Sequence, residues 1–224
     1  MSHWHLAIET SGRHGSLALL DGDQLLREVA LEPQQRTAAS LFPAMEELLQ
    51  QVRASGEPLQ QVSVASGPGS FTGLRIGVTA AKTLAYAMKC QLVAVDALEV
   101  IAQQAFDHNE SLEQLWVGVK AYRGQIFARG CARQNTAAGE SLVLSGPQWR
   151  QQVSTLPAGW GLTGDAAGDP SLEISSKIFL VDPQYWQPTA STVGRLAAGA
   201  EPIDPLRLVP EYLRPSAAEE KLNS

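Results

Sequence analysis

Cysteine is almost missing: Cys90 and Cys131 are the only two in 224 residues. Two thiols cannot make a disulfide framework or a Cys-rich zinc site, so reduced, partly buried thiols in a cytoplasmic protein are expected. Histidine is as scarce, with only His3, His5, His14 and His108. Alternate residues on a strand share a face, so His3 and His5 could point together. No third ligand lies near them and no His-Glu-x-x-His helix is present, so no metal site is expected. No apolar run approaches the roughly 20 residues of a membrane span. The first residues lack a basic region followed by an apolar stretch, so no signal peptide is expected. Charge is thin too. Lys plus Arg is 17 and Asp plus Glu is 23, a net of −6, and charged residues make up 18% of the chain, against roughly 25% in an average globular protein. There is no run of like charge. Phosphate binding needs clustered Lys and Arg, so direct, unaided nucleic-acid binding is not expected. The neutral surface left over points to a partner.

What is present is enough for a packed core, with 44% hydrophobic residues. The length fits one large domain or two of about 110 residues each. Residues 4–10, 16–20 and 24–31 read as three strands. Turns at 11–15 and at Asp21-Gly22 separate them, and the third alternates as a half-buried strand does. Residues 37–55 have helical period, with Leu41, Met45, Leu48, Leu49 and Val52 on one face, and Gly56 and Pro58 end the helix. A short strand at 62–65 leads into Ser66-Gly67-Pro68-Gly69-Ser70-Phe71-Thr72-Gly73, a backbone-shaping loop. The helix at 74–89 carries its polar residues, Arg75, Thr79, Lys82, Tyr86 and Lys89, on one narrow stripe. Almost everything else on it is apolar or small, including Gly77, Ala81, Leu84, Ala85 and Met88. One sheet contact cannot cover so wide a face, so either the chain buries it on two sides or a partner covers the remainder.

A strand at 91–95 and a helix at 97–106 complete a first lobe, with a polar break at 107–111. Strands at 115–120 and 125–131 flank Ala121-Tyr122-Arg123-Gly124. A strand at 142–144, a helix at 147–153, a Gly-rich stretch at 159–165, a strand at 178–181 and a helix at 189–200 follow. The tail, with Pro202, Pro205, Pro210 and Pro215, reads as an extended arm rather than a packed element. The pattern predicts an α/β protein with mixed sheets: lobes at 1–108 and 109–201, and a tail at 202–224.

Candidate chemistry is sparse. The loop at 66–73 has glycines before a helix N-terminus, but Leu74-Arg75 stands where a Walker motif needs Lys and Ser or Thr. A turn at Pro68-Gly69, with Ser70 or Thr72 capping the helix, is the simpler reading. Ile8-Glu9-Thr10-Ser11 could form a strand–turn–strand phosphate loop, with Glu9 aimed at a magnesium ion. Equally, Glu9 could be an exposed strand-end carboxylate. Asp96 and Asp165 lie at strand ends, where catalytic groups, turns and caps all occur. No nucleophile elbow is present.

Leu6-Ala7-Ile8-Glu9-Thr10-Ser11, Gly15-Ser16-Leu17-Ala18-Leu19, Leu41-Phe42-Pro43 and, above all, Gly67-Pro68-Gly69-Ser70-Phe71-Thr72-Gly73-Leu74-Arg75-Ile76-Gly77 closely resemble the bacterial TsaB (YeaZ) family. Glu211-Tyr212-Leu213-Arg214 resembles its late signature. The match is dense over about the first 100 residues. The resemblance implies an actin-like (ASKHA, RNase H-like) fold of two lobes with the second reduced. It also implies a non-catalytic subunit, without a cofactor of its own, in forming threonylcarbamoyladenosine at position 37 of tRNAs reading codons that begin with A. Its partners would be the catalytic TsaD and the ATPase TsaE, with tRNA reached only through the complex and a homodimer expected when TsaD is absent. The family's pairing helices correspond to residues 37–55 and 74–89, so Leu41, Met45, Leu48, Leu49, Val52, Gly77, Ala81, Leu84, Ala85 and Met88 are the expected interface. A departure is Lys120-Ala121-Tyr122, where the family often reads Asp-Ala-Arg. The alternative is a small ATP-binding, kinase-like member of the superfamily, using Glu9, Thr10 and Ser11.

Overall fold

A computed structural model describes residues 2–136 and 139–213. The chain divides into two compact units, Met1–Val100 with Pro188–Glu211, and Ile101–Gln187 with Tyr212–Ser224.

The first unit is built on a five-stranded sheet of order β3-β2-β1-β4-β5, formed by β1 (Trp4–Glu9), β2 (Ser16–Asp21), β3 (Gln24–Ala30), β4 (Gln61–Gly67) and β5 (Gln91–Asp96). β1, β2 and β3 form an antiparallel meander, and β4 and β5 run parallel to β1. β1, β2 and β4 are buried almost throughout, so they read as near-continuous apolar runs rather than alternations. One core holds Leu6, Ile8, Leu17, Leu19, Val62 and Val64 from the sheet. Against them lie Leu41, Leu48 and Val52 of α1 (Thr37–Ser55) and Val78, Ala81 and Ala85 of α2 (Phe71–Met88). A second core holds Ala7, Ala18, Leu20, Ala65, Val93 and Val95. It is covered by Ala190, Val193 and Ala197 of α5 (Ala190–Ala197).

The second unit repeats the same topology. Its strands are β6 (Gln114–Lys120), β7 (Gln125–Ala132), β8 (Leu142–Ser145), β9 (Gly161–Thr163) and β10 (Phe179–Leu180), in the order β10-β9-β6-β7-β8. Again the first three form an antiparallel meander and the last two run parallel to the first of them. This strand order, used twice, is the actin-like arrangement. The second copy is trimmed. α4 (Gly146–Ser154), with 9 residues, stands where the first unit has the 19 of α1. A four-residue 3₁₀ turn, Asp165–Gly168, follows β9 where the 18-residue α2 follows β4. Its core stacks Trp149 on Trp116, with ring centres 6.4 Å apart.

Four expectations change. β3 is an exposed edge strand rather than a half-buried one. The Gly-rich stretch contains β9, too short to announce itself by periodicity. The division falls inside α3 (Ala97–Asp107), between Val100 and Ile101, and α5 belongs to the first unit because it packs on β1, β2, β4 and β5. The tail is extended as expected, but it is packed: Leu208 is buried, Ile203 N–H donates to Leu92 O at 2.8 Å, and Glu211 N–H donates to Ser66 O at 2.7 Å. Arg214 and the rest of the tail lie outside the described residues.

Candidate functional site

The conspicuous loop in the sequence, Gly67 to Gly77, joins β4 to α2. It contains a cis peptide at Gly67–Pro68 and starts α2 at Phe71. Ser70 Oγ caps the helix by accepting from Gly73 N–H at 3.2 Å, and Ser70 N–H donates to Ser11 O at 2.8 Å. Thr10 Oγ1 donates to Gly73 O at 2.8 Å. A Cβ at Gly73 would stand 2.0 Å from Thr10 O, and one at Gly77 would stand 2.1 Å from Thr10 Oγ1. Gly73 is therefore imposed by contact with the Thr10 backbone and Gly77 by contact with the Thr10 side chain. Arg75 lies over the Phe71 ring at 3.9 Å.

Glu9, Thr10 and Ser11 are brought together, but turned inward. Glu9 is fully buried rather than exposed. Its carboxylate accepts from Ser11 N–H at 2.8 and 2.9 Å, from Gly12 N–H at 2.9 Å and from the Ser11 hydroxyl. Burial pushes its carboxyl up to about 7, against the bonds from Ser11 and Gly12 that favour the charged form. The N–H groups of Ser11 and Gly12 are thus satisfied by the chain's own carboxylate. Asp96 caps α3, its Oδ1 accepting from Leu98 N–H at 2.7 Å and Glu99 N–H at 3.0 Å, and Asp165 ties its segment to the end of β6, its Oδ1 accepting from Lys120 N–H at 2.7 Å. No group of three or more His, Cys, Asp or Glu that could hold a metal occurs among the described residues.

The expected partner residues differ in exposure. Leu41, Leu48, Val52, Gly77, Ala81 and Ala85 are buried against the first unit's own core, and Met45 is buried there while also lining the groove between α1 and α2. Leu49 and Leu84 are half-buried, and Met88 is exposed. The reason is physical. The most regular apolar stripe of an amphipathic helix covers its own core, so the open surface begins at the margin of that stripe. There, α1 and α2 leave an open groove of about 510 Å³ lined by Phe42, Met45, Ile76, Thr79, Thr83, Leu84 and Ala87, with Arg75 at its edge. Phe42 is 55% exposed and Tyr86 71%. The sequence reading missed Phe42, Ile76, Thr83 and Ala87 as surface residues. An exposed aromatic on the polar side of α1 was the available signal. The wide apolar girth of α2 is covered in part within the chain, by the sheet and by Leu208 of the tail, whose carbonyl oxygen accepts from Lys82 Nζ at 2.6 Å.

A doubly repeated strand order of this kind, with a β1–β2 turn closed on Glu9 and an open apolar groove on α1 and α2, places the chain in the actin-like fold class. The sequence family described as TsaD, tRNA N6-adenosine threonylcarbamoyltransferase, matches residues 24–146. The tRNA threonylcarbamoyladenosine biosynthesis protein TsaB of Bacillus subtilis is 30% identical, with 96% of each chain covered, and that of Escherichia coli is 26% identical, with 97% of each covered. The solved structure of YeaZ from Pseudomonas aeruginosa superposes with a TM-score of 0.76 at 22% identity, covering 94% of this chain and all of that one. The chain belongs to the TsaB family. No helix among the described residues is long and apolar enough to cross a membrane.

Proposed function

We propose that this chain is a non-catalytic subunit in the formation of N6-threonylcarbamoyladenosine at position 37 of tRNAs reading ANN codons. It pairs with a TsaD-type catalytic subunit through the outer groove of α1 and α2. TsaE joins that complex, tRNA is reached only through it, and without TsaD the same groove pairs two copies of the chain. The groove is the observation that carries the reading: an open apolar channel on two adjacent helices, beside the loop that marks the family. The kinase-like alternative finds no support in the geometry, because the Glu9 carboxylate occupies the turn donors and Thr10 is tied to α2.

The test is reconstitution of the tRNA modification with purified components, read as threonylcarbamoyladenosine by mass spectrometry. The chain alone should form none. Omitting it from a mixture with TsaD, TsaE and substrate should abolish product, and adding it back should restore it. Product formed by the chain alone, or undiminished in its absence, overturns the reading.

A further inference from the structure

Leu206 at 76%, Tyr86 at 71% and Val209 at 69% are the most exposed large hydrophobic side chains among the described residues. Tyr86 belongs to α2, and Leu206 and Val209 belong to the tail. Single exposed apolar residues are ordinary on a folded surface. Several gathered on elements that are fastened together mark a contact surface.

The fastening is firm. Ile203 N–H donates to Leu92 O near the start of β5, and Glu211 N–H donates to Ser66 O near the end of β4. α2 leaves the end of β4 and returns to the start of β5, so the tail runs beside it in the opposite direction. Between those ends, Leu208 is buried in the first core and its carbonyl oxygen accepts from Lys82 Nζ at 2.6 Å. Leu206 and Val209 flank that joint and stay outside the core. Leu206 is fixed by Asp204, whose Oδ1 accepts from its N–H at 2.9 Å. Apolar groups held in place before contact lose less entropy when a partner covers them.

Their position on α2 says what covers them. Tyr86 stands one helical turn after Lys82, which carries the tail, and two turns after Thr79, which lines the groove. The open face of α2 is thus bounded by the groove on one flank and by the tail on the other, with Tyr86 between them. A partner lying along the groove passes over Tyr86 and meets Leu206 and Val209.

We infer that the seam of α2 and the tail is a second contact strip for the TsaD-type subunit, which straddles α2 and touches α1 on one flank and the tail on the other. This rests on the pairing proposed above and adds to it tail residues that no helical pattern marks. The complementary surface is apolar. Tyr86 is its anchor, a large ring with few rotatable bonds and a polar tip.

The test is biolayer interferometry of the full chain against the immobilised TsaD homologue of its own genome. The variants are Leu206→Ser with Val209→Ser, Leu206→Ser alone, Tyr86→Ala and Phe42→Glu. All change exposed side chains, so each should keep the wild-type urea midpoint, and the single Leu206→Ser carries the test if the double variant does not. The double tail variant should bind about tenfold more weakly and Tyr86→Ala about fivefold, chiefly through faster dissociation. Phe42→Glu should abolish binding. If Phe42→Glu loses binding while a folded tail variant stays within about twofold of wild type, the strip is overturned and the groove pairing stands. If the wild type does not bind, pairing and strip fall together. A tail variant that keeps its affinity for TsaD but no longer self-associates in analytical ultracentrifugation also overturns the inference, because the strip then meets a second copy of the chain.

Discussion

The hydroxyl of Thr10 donates to the carbonyl oxygen of Gly73 at 2.8 Å, and the same Thr10 leaves no room for a Cβ at Gly73 or at Gly77. The end of β1 and the first two turns of α2 are therefore one packed unit. The glycines that make the sequence recognisable are there for packing.

The two glycines should respond differently to substitution. Gly73→Ala meets the backbone oxygen of Thr10 and Gly77→Ala meets its side-chain oxygen. Each should destabilise by about 2–3 kcal/mol in urea denaturation. Thr10→Ala alone should cost about 1 kcal/mol for the lost hydrogen bond. In the Thr10→Ala background the cost of Gly77→Ala should shrink, because the clashing atom is gone, whereas that of Gly73→Ala should not. Equal costs in both backgrounds would contradict the contact.

Stability against pH should reveal two buried groups of opposite sign on β1. Burial holds His5 down at about 4, below its usual 6.5, and Glu9 up at about 7, above its usual 4.5. Between pH 4 and 6.5 the unfolded chain binds more protons at His5, so that contribution rises with pH and is complete above 6.5. Between pH 4.5 and 7 the folded chain binds more protons at Glu9, so that contribution is complete below 4.5 and lost as pH rises to 7. Each spans about 3 kcal/mol. In the wild type they largely offset one another between 4.5 and 6.5. Glu9→Gln should leave a stability that climbs with pH, and His5→Gln one that falls. Denaturant midpoints measured from pH 4 to 7.5 read both slopes.

The tail should behave as part of the fold. Leu208→Ala removes a side chain that is 4% exposed in the first core and should cost about 2–3 kcal/mol. Lys82→Met keeps the stem and deletes the donor to Leu208 O, and should cost about 1 kcal/mol. Changes under a few tenths of a kcal/mol in thermal or urea unfolding would show that the tail does not contribute.

Much of this was legible in the sequence where a signal repeats. The periodic Leu41, Met45, Leu48 and Val52 set α1 at Thr37–Ser55, the bounds expected, and Gly56 ends it in a left-handed conformation. The Ser70 cap was readable from its place before a helical run. What periodicity cannot say is which neighbour a stripe covers. Of the residues expected at the partner surface, most lie in the core, Met45 and Leu84 reach the groove and Met88 is exposed, while Phe42 and Ile76 of the groove were not singled out. Glu9 was weighed as a magnesium carboxylate or a solvated one. Its capture by its own turn depends on the path of residues 9–12, which no local pattern encodes. The tail's packing rests on contacts more than 100 residues apart, such as Lys82 with Leu208.

The pairing surface is tested most directly by size-exclusion chromatography of the chain mixed with the TsaD homologue of its own genome, comparing wild type with Phe42→Glu and Leu84→Glu. Phe42 lies largely in solvent and Leu84 at the groove, so both variants should keep the wild-type circular dichroism, while a charge forced into a packed apolar contact should cost several kcal/mol. The account predicts that the wild type co-elutes with TsaD and that both folded variants elute apart from it. Co-elution of both variants to the wild-type extent would contradict it.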